Sequence, residues 1–218
     1  MSALLPAPQQ PADRFPGRDE AAARSFRLRL STAIERLAGE GTTYAELTVE
    51  RLIREAGVSR STFYKYFGDK TRLLSSLAET VQVEFLRAAN SWLELPSAAE
   101  QSDYGAAFAT IFHTYRSHRV VMRSISEQAN HDPVIRDHFA RMMDAFVTAV
   151  EQHIRQGQNA GSIVGEHSAH DLAVWLTWML EHGQLLFVGP ATEFELEQYT
   201  SAATEIVWRA LYSLPNDE

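Results

Sequence analysis

The 218-residue chain is 45% hydrophobic and 22% charged, enough to bury a real core in one large domain, or in a small domain joined to a medium one. It holds no cysteine, which excludes a disulfide framework, a thiolate metal site and a thiol nucleophile, and fits a reducing, cytoplasmic setting. The formal net charge of -8 is unevenly spread: residues 1–74 carry 12 Lys+Arg against 9 Asp+Glu, whereas the remainder carries 8 against 19. Such asymmetry points to a front part that meets a polyanion and a rear part with another task.

The opening "MSALLPAPQQPADRFPGRDE" lacks a basic end followed by a long apolar core, so it reads as neither a secretory nor a transit signal. Its Pro, Ala and Gln content predicts a loose tail over residues 1–22. From Arg24 to Leu37, Phe26, Leu30, Ala33, Ile34 and Leu37 fall at helical spacing, with Gly39 and Gly41 ending the first helix. Thr48 is a suitable N-cap for a second helix to about Ala56, with Glu50 in its first turn. Gly57 permits a sharp turn, Val58 plugs the angle between the helices, and Ser59 caps a third helix through about Tyr66. Two short helices joined by a Gly-containing turn are the helix-turn-helix pattern.

Gly68 breaks the chain again, and Asp69 caps a long fourth helix that ends before Pro96. Further helices are predicted at about 101–117, 119–129, 132–156, 168–188 and 192–213, punctuated by Pro133, Gly157, Gly161, Gly165 and Gly189-Pro190. No segment alternates with period two, so the expected class is all-α with about nine helices. The expected division is a helix-turn-helix domain over 23–68 and a second helical domain over 69–218. The most apolar run, "LAVWLTWMLEHGQLLFV", is interrupted by Glu181, His182, Gly183 and Gln184, which argues against a membrane span.

The stretch "VSRSTFYKYFGDK" holds four aromatic rings, an Arg and both lysines of the chain within residues 58–70. If its helix enters a major groove, Arg60 is the natural guanine reader, because its fork matches the O6 and N7 acceptors. Ser61 and Thr62 reach bases or phosphates, Tyr64 offers a hydroxyl to a phosphate, and Lys65 adds a cation on that side. Phe63 is expected to point inward with Val58 and Phe67. Lys70 and Thr48, each at the first turn of a helix, are expected to hold further phosphates.

The segment "LTVERLIREAGVSRSTFYKYFGDKTRLL", residues 47–74, resembles the DNA-binding signature of TetR-family transcriptional regulators. The resemblance implies that Thr48, Ser59, Arg60, Ser61, Thr62, Tyr64, Lys65 and Lys70 carry the contacts to a double-stranded operator. It also implies a homodimer formed through the last two helices and, by default, repression. A short helix-turn-helix makes too few contacts to hold one half-site tightly, so a pair is expected on physical grounds as well. The apolar stripe Leu196, Tyr199, Ala203, Ile206, Val207, Ala210, Leu211 and Leu214 is the candidate surface.

The rear part is rich in rings and methionines. Tyr104, Phe108, Ile111, Phe112, Tyr115, Met142, Phe146, Trp175, Trp178 and Met179 are candidates to line a site for a small apolar effector, with Thr177 as a polar handle. The same side chains are equally suited to an ordinary core. The run "FHTYRSHRVVMRSI" is similar to regulators of the ethionamide-resistance type; where these carry paired asparagines in the pocket helix, this chain has Thr177 and Leu180. Eight histidines without HExxH, Cys ligands or well-spaced carboxylates give no metal site, and no G-x-S-x-G elbow or phosphate-cradling loop is present. No enzyme activity and no cofactor are therefore expected. The alternative is a helical interaction module with an apolar groove for a peptide or lipid and no DNA binding.

Overall fold

The computed structural model describes residues 20–96, 98–163, 165 and 167–212. Among them every regular element is helical: α1 (Glu20–Gly39), α2 (Val49–Ala56), α3 (Arg60–Tyr66), α4 (Lys70–Leu93), α5 (Gln101–Ala129), α6 (Pro133–Ala160), α7 (Ala169–Gly183), a π-helical segment (Gln184–Val188) and α8 (Glu193–Leu211). The expected tail lies almost wholly outside the described residues, and α1 begins a turn earlier than the spacing of apolar residues indicated. No helix among the described residues is long and apolar enough to cross a membrane.

The expected break between helices at residues 117–119 does not occur; α5 runs unbroken for 29 residues. Ser117-His118-Arg119 contains neither Gly nor Pro, and the Ser117 hydroxyl donates back to the His113 carbonyl at 3.0 Å, leaving nothing to stop the helix. Gly157, expected as punctuation, lies inside α6, where it serves packing. A Cβ there would stand 2.5 Å from Ile163 Cγ1, so only Gly lets the following loop close onto the helix. Gly161, with φ +74°, is the residue that ends it.

The chain divides into two compact units. The first comprises residues 20–82 with Val120–Ala140. Its core is built from Leu30, Ile34 and Leu37 of α1, Leu52 of α2, Phe63 of α3, Leu73 and Leu74 of α4, and Ile125 and Ile135. Asp132 accepts the Thr71 hydroxyl at 2.6 Å and the Val134 N–H at 2.9 Å, and these bonds hold its carboxyl below the usual range. Pro133 at the first position of α6 needs no partner for an N–H it lacks.

The second unit comprises Val83–Arg119 and residues 141–212. Its centre is aromatic: Phe85 meets Tyr115 and Phe146 edge-on at 6.1 and 6.4 Å, and Trp92 meets Phe108 at 5.3 Å. A hydrogen-bonded chain closes one end. His153 Nδ1 donates to the Leu93 carbonyl at 3.1 Å, Tyr212 donates its hydroxyl to His153 Nε2 at 2.6 Å, and Trp92 Nε1 donates to the Tyr212 oxygen at 3.1 Å. This pattern requires a neutral imidazole, and burial, opposed by the Leu93 carbonyl, holds His153 below its ordinary pKa. The unfolded chain then takes up the proton first, near pH ~6.5, so His153 stabilises the fold fully above that pH and progressively less as pH falls towards its folded pKa. Urea denaturation is expected to show a lower midpoint at pH 5.5 than at pH 7, and His153→Gln to remove much of that difference while lowering stability at pH 7.

Candidate DNA-binding surface and effector region

Local capping explains why residues 48–67 fold as they do. Thr48 Oγ1 accepts the Arg51 N–H at 3.1 Å, and Ser59 Oγ accepts the Thr62 N–H at 3.1 Å. Between them Gly57 takes the left-handed conformation, φ 59° and ψ 37°, and the Gly57 and Val58 N–H groups close onto the Arg54 and Ile53 carbonyls. Arg29 of α1 donates Nε to the Ala56 carbonyl at 3.0 Å and Nη2 to the Gly57 carbonyl, tying the turn to the first helix. A Cβ at Gly57 would come within 2.9 Å of that guanidinium, so the position needs Gly for space as well as for φ. Arg29 was not among the sequence candidates, since its partners lie 27 and 28 residues away.

Helix α3 separates its two roles by side. Phe63 is fully buried, Val58 and Phe67 are buried with it, and the Phe63 and Phe67 rings lie 5.7 Å apart. Thr48, Ser59, Arg60, Ser61, Tyr64 and Lys65 are exposed, and Thr62 is half-buried. The Arg60 guanidinium lies 5.5 Å from the Tyr64 ring centroid and 3.2 Å from Glu50 Oε1 of α2, which holds the fork over the ring. The hydroxyl of Ser59 lies 3.0 Å from that of Ser61 and 2.7 Å from that of Thr62, so three candidate hydroxyls form one exposed cluster at the start of α3. The face presents a fork, a cation, a phenol and hydroxyls over a sealed apolar layer, the chemistry of phosphate and base-edge contact.

Lys70 is placed differently from the other candidates. Its Nζ donates to the carbonyls of Tyr44, Ala45 and Leu47 at 2.9, 3.0 and 2.6 Å, and stands 5.2 Å from the Tyr44 ring centroid. Tyr44 is buried and donates its hydroxyl to the Lys70 carbonyl at 2.7 Å, completing a reciprocal clamp. Burial lowers the Lys70 pKa and, with the Asp69 charge, raises that of Tyr44 far above its ordinary value. All three ammonium donors have carbonyl partners, and the Asp69 carboxylate occupies the Arg72 N–H in the first turn of α4 at 2.8 Å. This arrangement holds the loop between α1 and α2 against the start of α4.

The effector candidates fall into two groups. Tyr104, Phe108, Ile111, Phe112, Tyr115, Met142 and Thr177 are buried and Phe146 is half-buried, all of them in the second unit. Trp175, by contrast, is 76% exposed, and Trp178 and Met179 share its solvent-facing side of α7. These three stand apart from the buried group because the turn of α7 carries them to the side opposite Ala173, Leu176 and Thr177. With Leu186, Phe187, Phe194 and Ile206 they make exposed apolar surface on α7, the π segment and α8. The apolar stripe expected on the last helix is likewise divided. Leu196, Val207 and Leu211 are buried, Tyr199, Ile206 and Ala210 are exposed, and Leu214 lies outside the described residues.

A groove of about 500 Å³ between α5 and α8 is lined by other residues, among them Gln101, Gly105, His113, Glu197 and Thr204. Among the described residues no group of three or more His, Asp or Glu is arranged to hold a metal ion.

A capped helix-turn-helix with a polar, cationic recognition face, joined to a helical unit with an aromatic centre, defines the class of DNA-binding regulators with a separate helical regulatory unit. Residues 30–77 match the model of bacterial regulatory proteins of the tetR family, and residues 104–213 match that of the C-terminal domain of the transcriptional regulator EthR. The chain belongs to the TetR family of transcriptional regulators, with a C-terminal domain of the EthR type. It is similar to the HTH-type transcriptional regulator EthR of Mycolicibacterium smegmatis, 27% identical over 142 residues, and to that of Mycobacterium tuberculosis, 25% identical over 143. The matched region spans 65% of this chain in both cases, and 65% and 66% of the two relatives' own lengths. The fold is also that of the TetR-family regulator PfmR from Thermus thermophilus, with TM-score 0.67 at 17% identity over 85% of this chain and 99% of that one. Salmonella enterica GusR gives TM-score 0.65 at 12% identity, covering 85% and 95%.

Proposed function

We propose that the protein is a dimeric, effector-responsive repressor that binds a palindromic duplex operator with α3 in the major groove. The observation that carries this reading is the division of α3: Phe63 is sealed beneath it while Arg60, Ser61, Tyr64 and Lys65 stand exposed together. Arg60, stacked on Tyr64, reads a base edge after exchanging Glu50 for the DNA. Thr48, Ser59, Thr62, Tyr64 and Lys65 hold phosphates and set the register. The exposed apolar surface of α7 and α8 joins two protomers, so that two recognition helices meet half-sites about one helical turn apart. The buried aromatic residues of the second unit receive a small apolar effector, which favours the state unable to bind the operator; a tenfold loss of operator affinity requires about 1.4 kcal/mol of coupling.

Selection of bound sequences from a random duplex pool tests the reading. A two-fold symmetric site is expected, whereas recovery of no sequence at low salt would support an interaction module without DNA binding. Arg60→Ala is expected to lower affinity for the selected duplex by about ten- to a hundredfold and to relax preference at one base step, with thermal stability unchanged because the side chain is exposed. Lys65→Ala is expected to weaken all duplexes alike and to reduce the slope of affinity against salt by about one.

A further inference from the structure

Several helical threonines satisfy their hydroxyls locally: Thr80, Thr110, Thr148 and Thr200 each donate to the carbonyl four residues back. Thr177 does not, and its buried Oγ1 has no hydrogen-bond partner. One turn further along α7, the Glu181 side chain is only 11% exposed. Its buried Oε2 lies 2.6 Å from Nδ1 of the exposed His182 ring but outside hydrogen-bonding geometry. Gln184 donates Nε2 to the Leu180 carbonyl at 3.1 Å, which fixes its amide and leaves a buried Oε1 without a partner.

Positions 177, 181 and 184 form one stripe of the helix, among the buried Ala173, Leu176 and Val188. The Thr177 and Gln184 oxygens are thus buried without the donors they need, and the Glu181 carboxylate between them has the exposed His182 ring as its close neighbour. The backbone is unusual at the same place. The π segment begins at Gln184, whose carbonyl accepts the Gly189 N–H at 2.9 Å, and such insertions recur at functional sites.

We propose that Thr177, Glu181 and Gln184 form the polar end of the effector site and take a primary ammonium group carried on an apolar body. This assignment rests on the effector-binding role proposed above. An ammonium has three donors and no acceptor, matching three oxygens, and a positive charge to match the carboxylate. A neutral alcohol supplies one donor, and a carboxylate ligand would meet Glu181 with like charge. Burial already pushes the Glu181 carboxyl upward against the influence of His182, so a cation arriving there relieves an unfavourable state.

The test uses the full chain with n-octylammonium, n-octanol and n-octanoate at pH 7, followed by calorimetry. Octylammonium is expected to bind at least tenfold more tightly than octanol, and octanoate more weakly than either. Glu181→Gln should bring octylammonium and octanol to parity, and Gln184→Leu should weaken octylammonium several-fold, with far-UV circular dichroism unchanged. The net charge of -8 attracts any ammonium to the surface, but that attraction survives Glu181→Gln and is thereby separated. If Glu181→Gln does not fold, the ligand series on the unaltered chain and on Gln184→Leu decides. Equal binding of octylammonium and octanol, or a preference that persists in Glu181→Gln, would overturn the ammonium site and leave the effector role standing. Binding of none of the three would overturn both.

Discussion

Replacing Lys70 with methionine is expected to destabilise the first unit by about 2–4 kcal/mol, read as a lower urea midpoint and a thermal transition lowered by roughly 5–10 °C. The ammonium donates to three carbonyls, of Tyr44, Ala45 and Leu47, and methionine keeps the apolar stem while removing every donor. Carbonyls left without a partner lose more than the modest net value of each bond, although water reaches part of this partly buried site and limits the loss. Lys70→Arg is expected to rescue little, because a planar fork cannot converge on three carbonyls as a compact ammonium does. A phosphate contact alone would give the opposite result: unchanged stability and a salt slope smaller by about one. Measuring both quantities on the same variant separates the roles.

The second large effect is expected at the exposed apolar face of α7 and α8. Trp175→Glu should convert dimers to protomers, raising the dimer dissociation constant by at least about thirtyfold, equivalent to ~2 kcal/mol or more for a central aromatic anchor. Trp175 is 76% exposed in the protomer, so the fold itself should keep its stability. Ile206→Glu on the neighbouring helix should act in the same direction. Sedimentation velocity reads the association state, and operator affinity should fall with it, because one recognition helix then holds one half-site alone. A variant that remains dimeric and binds DNA normally would place the protomer contact elsewhere.

The helix-turn-helix was legible because its determinants are local. Thr48, Gly57 and Ser59 act on groups one to four residues away, and the inward direction of Phe63 follows from helical spacing against Val58 and Phe67. The length of a helix is less local: a boundary was expected at residues 117–119, although no residue there stops a helix. Trp175, Trp178 and Met179 show a different limit. An apolar residue on a helix announces that it will be covered, but not whether by its own chain or by another.

The amino-acid order was therefore sufficient for the all-helical class, the turn at Gly57 and the inward side of α3, since each depends on contacts within a few residues. The direction of Lys70 depended on the folded chain, because the loop carbonyls it holds lie 23 to 26 residues away. The pairing of Arg29 with the turn, the outward side of α7 and the unsatisfied oxygens of Thr177 and Gln184 were likewise settled by packing. A hydrogen bond across that distance leaves no periodic trace in sequence, and the side of a helix that meets solvent is known only once its neighbours are in place.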